Sequence, residues 1–233
     1  MDELCSEQTR SRRRFLQLGL TGTAVGLLTN SLELAAPSSA WAQSTLSPDQ
    51  ALTELMDGNK RFTAVRMTHH EQDLAVLRQH TEEKQEPFAA VLSCADSRVP
   101  VELVFDQTIG RIFVTRVAGN VVTPEIIGSL EYGAAVLGTK VILVMGHSGC
   151  GAVKATIHGE GVPGQISSLF PHIQPAVDQA GPDLAAATKA NAKIQAALLR
   201  QASTVISGMV KEGKLKVVAG YYDLGTGAVA LLL

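Results

Sequence analysis

The chain has 233 residues, 45% of them apolar and 18% charged, with a formal charge of −2. That profile belongs to a globular protein able to bury one sizeable core. Lys and Arg number 20 against 22 Asp and Glu, and aromatics make up only 4%, so neither a basic groove nor a base-stacking platform is suggested and no nucleic-acid partner is expected.

The first elements belong to targeting rather than to the fold. Ser11-Arg12-Arg13-Arg14-Phe15-Leu16-Gln17 sets an arginine cluster directly before the apolar run 18–28, a pattern that resembles a twin-arginine export signal. Gly19, Gly22 and Gly26 dilute the run, which is also short against the ~20 residues needed to cross hydrocarbon. It therefore reads as a cleavable signal rather than an anchor. Ala40-Trp41-Ala42 supplies a small-x-small cleavage site, so the mature chain is expected to start near Gln43. The expected organisation is a signal peptide over 1–42 and one catalytic domain over 43–233, with no stable membrane insertion after cleavage. The destination is a periplasm, or a thylakoid lumen in a photosynthetic organism.

Past the signal, Ser47-Pro48-Asp49 opens an amphipathic helix through Ala51, Leu52, Leu55, Met56 and Phe62, with Ser47 as cap and Pro48 in the first turn. A polar segment, 66–86, is read as helical around Leu74, Ala75, Val76 and Leu77. Four short apolar runs follow, 88–93, 112–117, 141–145 and 215–219, each of strand length and apolar without alternation, as strands buried on both faces are. Between the second and third, Thr123-Pro124-Glu125 begins a helix that ends at Gly138. Ala, Leu, Lys and Gln content predicts one long helix over 183–211. Gly225-Thr226-Gly227 then turns into a short edge strand, 228–233. The expected fold is α/β, with a mostly parallel central sheet of about four parallel strands plus a C-terminal edge strand, flanked by helices.

In open parallel sheets, ligands gather outside the carboxyl ends of the strands. The first predicted strand runs into Cys94-Ala95-Asp96-Ser97-Arg98, and the third into Gly146-His147-Ser148-Gly149-Cys150-Gly151. Two thiolates and one imidazole suit zinc, and three protein ligands leave a fourth, catalytic position open. Cys94 and Cys150 are also the only cysteines left once Cys5 departs with the signal. A non-catalytic binding protein with a disulfide between them is thus the rival reading for an exported chain. Folding in the reducing cytoplasm before twin-arginine export favours metal-bound thiolates instead.

Taken together, Cys94-Ala95-Asp96-Ser97-Arg98-Val99-Pro100 and His147-Ser148-Gly149-Cys150-Gly151 resemble the two zinc motifs of the β-class carbonic anhydrases. The likeness continues through Val114–Asn120, Ser129–Tyr132 and Gly220–Leu224. The resemblance implies reversible hydration of CO2 to bicarbonate and a proton by a zinc-bound hydroxide. One zinc per chain is held by Cys94, His147 and Cys150, in a homodimer or higher even-numbered homo-oligomer. It also implies a catalytic dyad in which Arg98 holds the Asp96 carboxylate off the metal, and a substrate pocket drawing on Gln85, Phe113, Tyr132 and Gly151. In one departure, Arg116 is followed by Val-Ala-Gly-Asn rather than the plant-type Asn-Val-Ala-Asn, which places Ala118 where that type has a pocket valine. Two thiolates offset the charge of a divalent ion, so activity is expected to rise toward alkaline pH. Hydrolysis of carbonyl sulfide or carbon disulfide on the same fold is the alternative enzyme reading.

Overall fold

The computed structural model describes residues 44–68, 85–159 and 161–232. The segment read as an export signal, 1–42, and most of the helix expected over 66–86 lie outside these residues.

Helix α1, Pro48–Thr63, starts as its sequence predicts. Ser47 Oγ accepts from Gln50 N at 3.2 Å and Gln50 Oε1 accepts from Ser47 N at 2.8 Å, a reciprocal cap that satisfies two otherwise unpaired donors. Strand β1, Ala89–Ser93, follows, then the one-turn helix α2, Val101–Val104, and strand β2, Ile112–Arg116. A 3-10 turn, Ala118–Asn120, leads to helix α3, Pro124–Glu131, which continues into a π-helical turn, Tyr132–Val136. Strand β3, Val141–His147, runs into helix α4, Gly151–His158. Helices α5, Phe170–Ala180, α6, Leu184–Ala202, and α7, Thr204–Lys211, precede strands β4, Lys216–Tyr222, and β5, Val229–Leu232.

The strands form one sheet in the order β2-β1-β3-β4-β5. The first four are parallel, and β5 pairs antiparallel on β4 as the expected edge strand. Both faces are covered, which is why the strands carry no polar alternation. Ala89, Val91, Val141, Leu143 and Met145 point into a cluster with Ala51, Leu55, Phe88 and Phe105 on the α1 side. Their neighbours Ala90, Leu92, Ile142 and Val144 point into a second cluster with Leu130, Ala192, Ala196, Leu199 and Ile206. Each fully buried Leu, Ile or Val contributes about 1.5–3 kcal/mol to burial, so both layers favour this one register.

Two features depart from the expected pattern. The long helix over 183–211 is two helices, because Ser203 adopts an extended backbone (φ −104°, ψ 116°) and caps α7, its Oγ accepting from Ile206 N at 3.0 Å. The same hydroxyl donates to Glu131 Oε1 at 2.5 Å, tying the break to α3. Helices α4 and α5 also stand where no helix was expected: α4 has no side-chain cap, and α5 contains Pro175.

The chain runs from β1 to β2 on one side and then crosses β1 to reach β3 on the other. The crevice between the carboxyl ends of β1 and β3 is therefore the switch point at which open α/β sheets hold ligands. Gly146, just before the end of β3, lets α6 approach closely. A Cβ there would lie 2.9 Å from Thr188 Cγ2 and 3.1 Å from its carbonyl oxygen. Among the described residues, no helix is long and apolar enough to cross a membrane.

Candidate metal centre

Cys94 is the first residue after β1, His147 the last of β3, and Cys150 the residue that precedes α4. Parallel pairing of β1 with β3, with Ser93 opposite Met145, brings the three together. One ligand atom from each lies within 4.8 Å of the others, and all three residues are buried. Both cysteines are free thiols, so the disulfide reading finds no support in the structure.

The histidine bears on what the cluster could hold. His147 Nδ1 lies 3.0 Å from the Ser148 carbonyl oxygen. Because a carbonyl only accepts, Nδ1 carries the proton and Nε2 a lone pair. That Nε2 is buried with no hydrogen-bond partner. A buried imidazole nitrogen without a partner, beside two sulfurs and with its other nitrogen fixed by a carbonyl, fits a metal ligand. The sulfurs fit as well. Cys94 is drawn below the usual thiol range, chiefly by a hydrogen bond from the Cys150 thiol, against the opposing effect of burial and with help from the Gly119 N–H. Cys150, as donor in that bond, is pushed up. Binding a cation would require both thiols as thiolates, so metal uptake would release protons.

Around this cluster, two arginines fix the 94–98 loop. Arg98 grips Asp96 through a fork, Nε to Oδ1 at 2.9 Å and Nη2 to Oδ2 at 2.8 Å, and Arg98 N also donates to Oδ1 at 2.9 Å. Hydrogen bonds from the Arg98 side chain and backbone hold the Asp96 carboxyl well below the usual carboxylate range, against the opposing effect of burial. Asp96 Oδ2 lies 3.8 Å from His147 Nε2, close to the cluster but outside hydrogen-bond range. Arg116, at the end of β2, donates Nε to Cys94 O at 3.1 Å and Nη2 to Asp96 O at 2.5 Å. Its part in holding this loop was not readable from the sequence, since its partners are backbone carbonyls that no motif marks.

The remaining pocket residues separate into two groups. Gly151 is the exposed first residue of α4, directly beside Cys150. Phe113 and Tyr132 pack together with ring centroids 6.3 Å apart, but Phe113 pairs with Ala90, four residues before Cys94. At ~3.3 Å per residue that is about 13 Å along the strand. Gln85 is exposed and precedes β1, so it too stands at the end of the sheet away from Cys94. A single chain does not bring these three residues to its own metal cluster.

Comparison with known proteins agrees with the geometry. Residues 89–229, more than half of the chain, match the family model described as carbonic anhydrase. A carbonic anhydrase of Mycolicibacterium smegmatis is 36% identical over 195 residues, covering 79% of this chain and 93% of the relative. Carbonic anhydrase 2 of Mycobacterium tuberculosis is 33% identical over 193 residues, with the same shares of 79% and 93%. Among solved structures, the Coccomyxa β-carbonic anhydrase in complex with acetazolamide superposes with a TM-score of 0.60 at 26% identity, covering 78% of this chain and 86% of that one. A tetrameric β-carbonic anhydrase from Sordaria macrospora shares the fold, with a TM-score of 0.62 at 19% identity, over 78% of this chain and 96% of that one.

The arginine pairing makes a prediction. Arg116→Ala frees two carbonyls beside a ligand and should weaken metal retention about 10-fold or more, the usual cost of losing a group that orients a ligand. Metal content after dialysis against graded chelator reads this, and unchanged retention would show that the loop holds its shape without Arg116. With strand order, ligand cluster, family match and named relatives in agreement, the chain belongs to the β-class carbonic anhydrases.

Proposed function

We propose that this chain is an exported zinc enzyme that interconverts CO2 and bicarbonate, with Cys94, His147 and Cys150 holding one zinc per chain. The observation that carries the choice of metal is the donor set itself: two thiol sulfurs and an unpartnered imidazole Nε2 drawn together, with a carboxylate close by but gripped by an arginine. When bound in such a set, zinc would lower the pKa of water and so supply a hydroxide nucleophile, less readily than at three neutral imidazoles because the two thiolates offset its charge.

The chain's own residues supply orientation and proton handling. Arg98 occupies both oxygens of Asp96, which competes with their use as metal ligands and keeps the carboxylate ionised. Asp96 Oδ2 is then an acceptor that orients the attacking water so that a lone pair faces the CO2 carbon. Addition of water to CO2 gives bicarbonate and releases one proton to solvent. Phe113 stands about 13 Å along the sheet from its own Cys94, Tyr132 packs on Phe113, and Gln85 precedes β1. Their part in a substrate pocket therefore belongs to the cluster of a second copy, in a homodimer or higher even-numbered oligomer.

The signal read over 1–42 sends the domain over 43–233 to the periplasm, or to a thylakoid lumen in a photosynthetic organism. Twin-arginine export carries folded protein, so Cys94 and Cys150 would cross already protected by the metal. Replacing Arg12 and Arg13 with Lys should leave uncleaved precursor in the cytoplasm, as cell fractionation would reveal. Normal maturation of that variant would contradict this route.

Activity is tested by stopped-flow CO2 hydration on the mature protein with zinc measured in the same sample. The expected result is one zinc per chain and rapid hydration that increases from neutral to alkaline pH. Asp96→Asn should keep the zinc and lose about 100-fold or more in turnover, within the range for removing a positioned proton acceptor. Zinc with turnover of carbonyl sulfide or carbon disulfide but not of CO2 would redirect the assignment, and full activity in Asp96→Asn would remove the role given to that carboxylate.

A further inference from the structure

Asn191 and Gln195 sit one turn apart on α6, 0% and 1% exposed. Their buried neighbours on this helix are mostly small and apolar: Ala187, Ala190, Ala192, Ala196 and Leu199. A primary amide in such surroundings is destabilising unless its donors and acceptor are paired. The partners of these two all lie on segments flanking the metal cluster or on each other. Asn191 Nδ2 donates to Gly119 O at 2.8 Å, and Gln195 Oε1 accepts from Val122 N at 2.8 Å. Gln195 Nε2 donates to His172 O at 2.8 Å and to Asn191 Oδ1 at 3.2 Å.

The loop held in this way delivers a donor to a proposed metal ligand. Gly119 N–H points at Cys94 Sγ, with N and S 3.4 Å apart. Gly119 adopts φ 72°, and a Cβ there would lie 2.7 Å from Ile173 Cδ1 and 3.2 Å from Ala152 Cβ. Only glycine fits this turn, in which the carbonyl faces α6 and the N–H faces the sulfur. Lateral movement is blocked by Ile173 and Ala152, while the outward pull is set by Asn191 and, three residues on, by Gln195.

We propose that Asn191 and Gln195 are positioning residues of the metal centre, holding the 119–122 loop so that the Gly119 N–H is aimed at Cys94 Sγ. The inference rests on the zinc reading above. An N–H bond to a coordinating thiolate withdraws charge from the sulfur, so the ion keeps more of its own positive charge for activating water. The amide pair thus acts on the chemistry through two intermediaries, the loop and the sulfur, without touching substrate.

The test uses the mature protein loaded with cobalt in place of zinc, which reports thiolate bonding by its sulfur-to-metal charge-transfer absorption. Asn191→Ala should raise the hydrogen-exchange rate of the Gly119 N–H by about 10-fold or more, as local opening becomes easier, while β3 amides keep their protection. In the same variant the charge-transfer band should move to longer wavelength, because a sulfur without its hydrogen bond gives up charge more readily. Lost stability alone would not shift that band. Gln195→Met, which conserves volume and frees Val122 N–H, should produce the same two changes at smaller size and serves if Asn191→Ala does not fold. Lys193→Ala, on the exposed side of α6, should change neither. An unmoved band or unchanged Gly119 exchange in folded, cobalt-loaded variants would overturn the proposal while sparing the zinc reading. A wild-type protein that takes up no cobalt would bring down both.

Discussion

Where β1 pairs with β3, Ser93 lies opposite Met145, and the arrangement of the site depends on that register. Cys94 follows the first strand and His147 ends the second, so the pairing sets their separation before any ligand arrives. A slip of one residue would exchange the two faces of β1, sending Ala90 and Leu92 into the α1-side cluster and Ala89 and Val91 toward α6. Burial on both faces therefore fixes the register, and the register in turn fixes the metal cluster. Cys150 completes the set because the turn between β3 and α4 is short: Ser148 N donates to Tyr222 O at 2.9 Å, and Ser148 Oγ accepts from Leu224 N at 2.8 Å, anchoring that turn to the end of β4.

On this frame, the charges divide their tasks. Arg98 binds a side chain and Arg116 binds the backbone of the same short loop, so carboxylate and ligand are held by separate cations. The bidentate geometry is what suits arginine to the first task, since a lysine could not engage both oxygens of Asp96 in parallel. Behind the cluster, two buried amides on α6 hold the loop that faces Cys94. Arg98, Arg116, Asn191 and Gln195 are each engaged by hydrogen bonds around the site, and His147 Nε2 is buried without a partner beside the two sulfurs.

Much of this was legible in the sequence. Continuous apolar runs marked all four parallel strands, and their ends carried the three metal-cluster residues, because a parallel sheet gathers its chemistry at one edge. Ser47 and Pro48 announced α1 by side-chain chemistry alone. What stayed hidden depended on tertiary partners. Ser203 looks like one more polar residue in a helical stretch until Glu131 and Ile206 N give its hydroxyl two bonds. Helix α5 contains a proline that counts against a helix locally, yet Ile173 and Ala176 are buried there, and packing prevails. Gln85, Phe113 and Tyr132 were identified through resemblance, which carries no information about which copy's site a residue serves. Only the strand register shows that they stand apart from their own Cys94.

The most direct test of the central claim is X-ray absorption at the zinc edge of the mature protein. The account predicts two sulfur neighbours near 2.3 Å and nitrogen or oxygen neighbours near 2.0–2.1 Å, one of them showing the outer scattering of an imidazole. A zinc shell without sulfur, or with four sulfurs, would contradict the assignment of Cys94, His147 and Cys150 as its protein ligands.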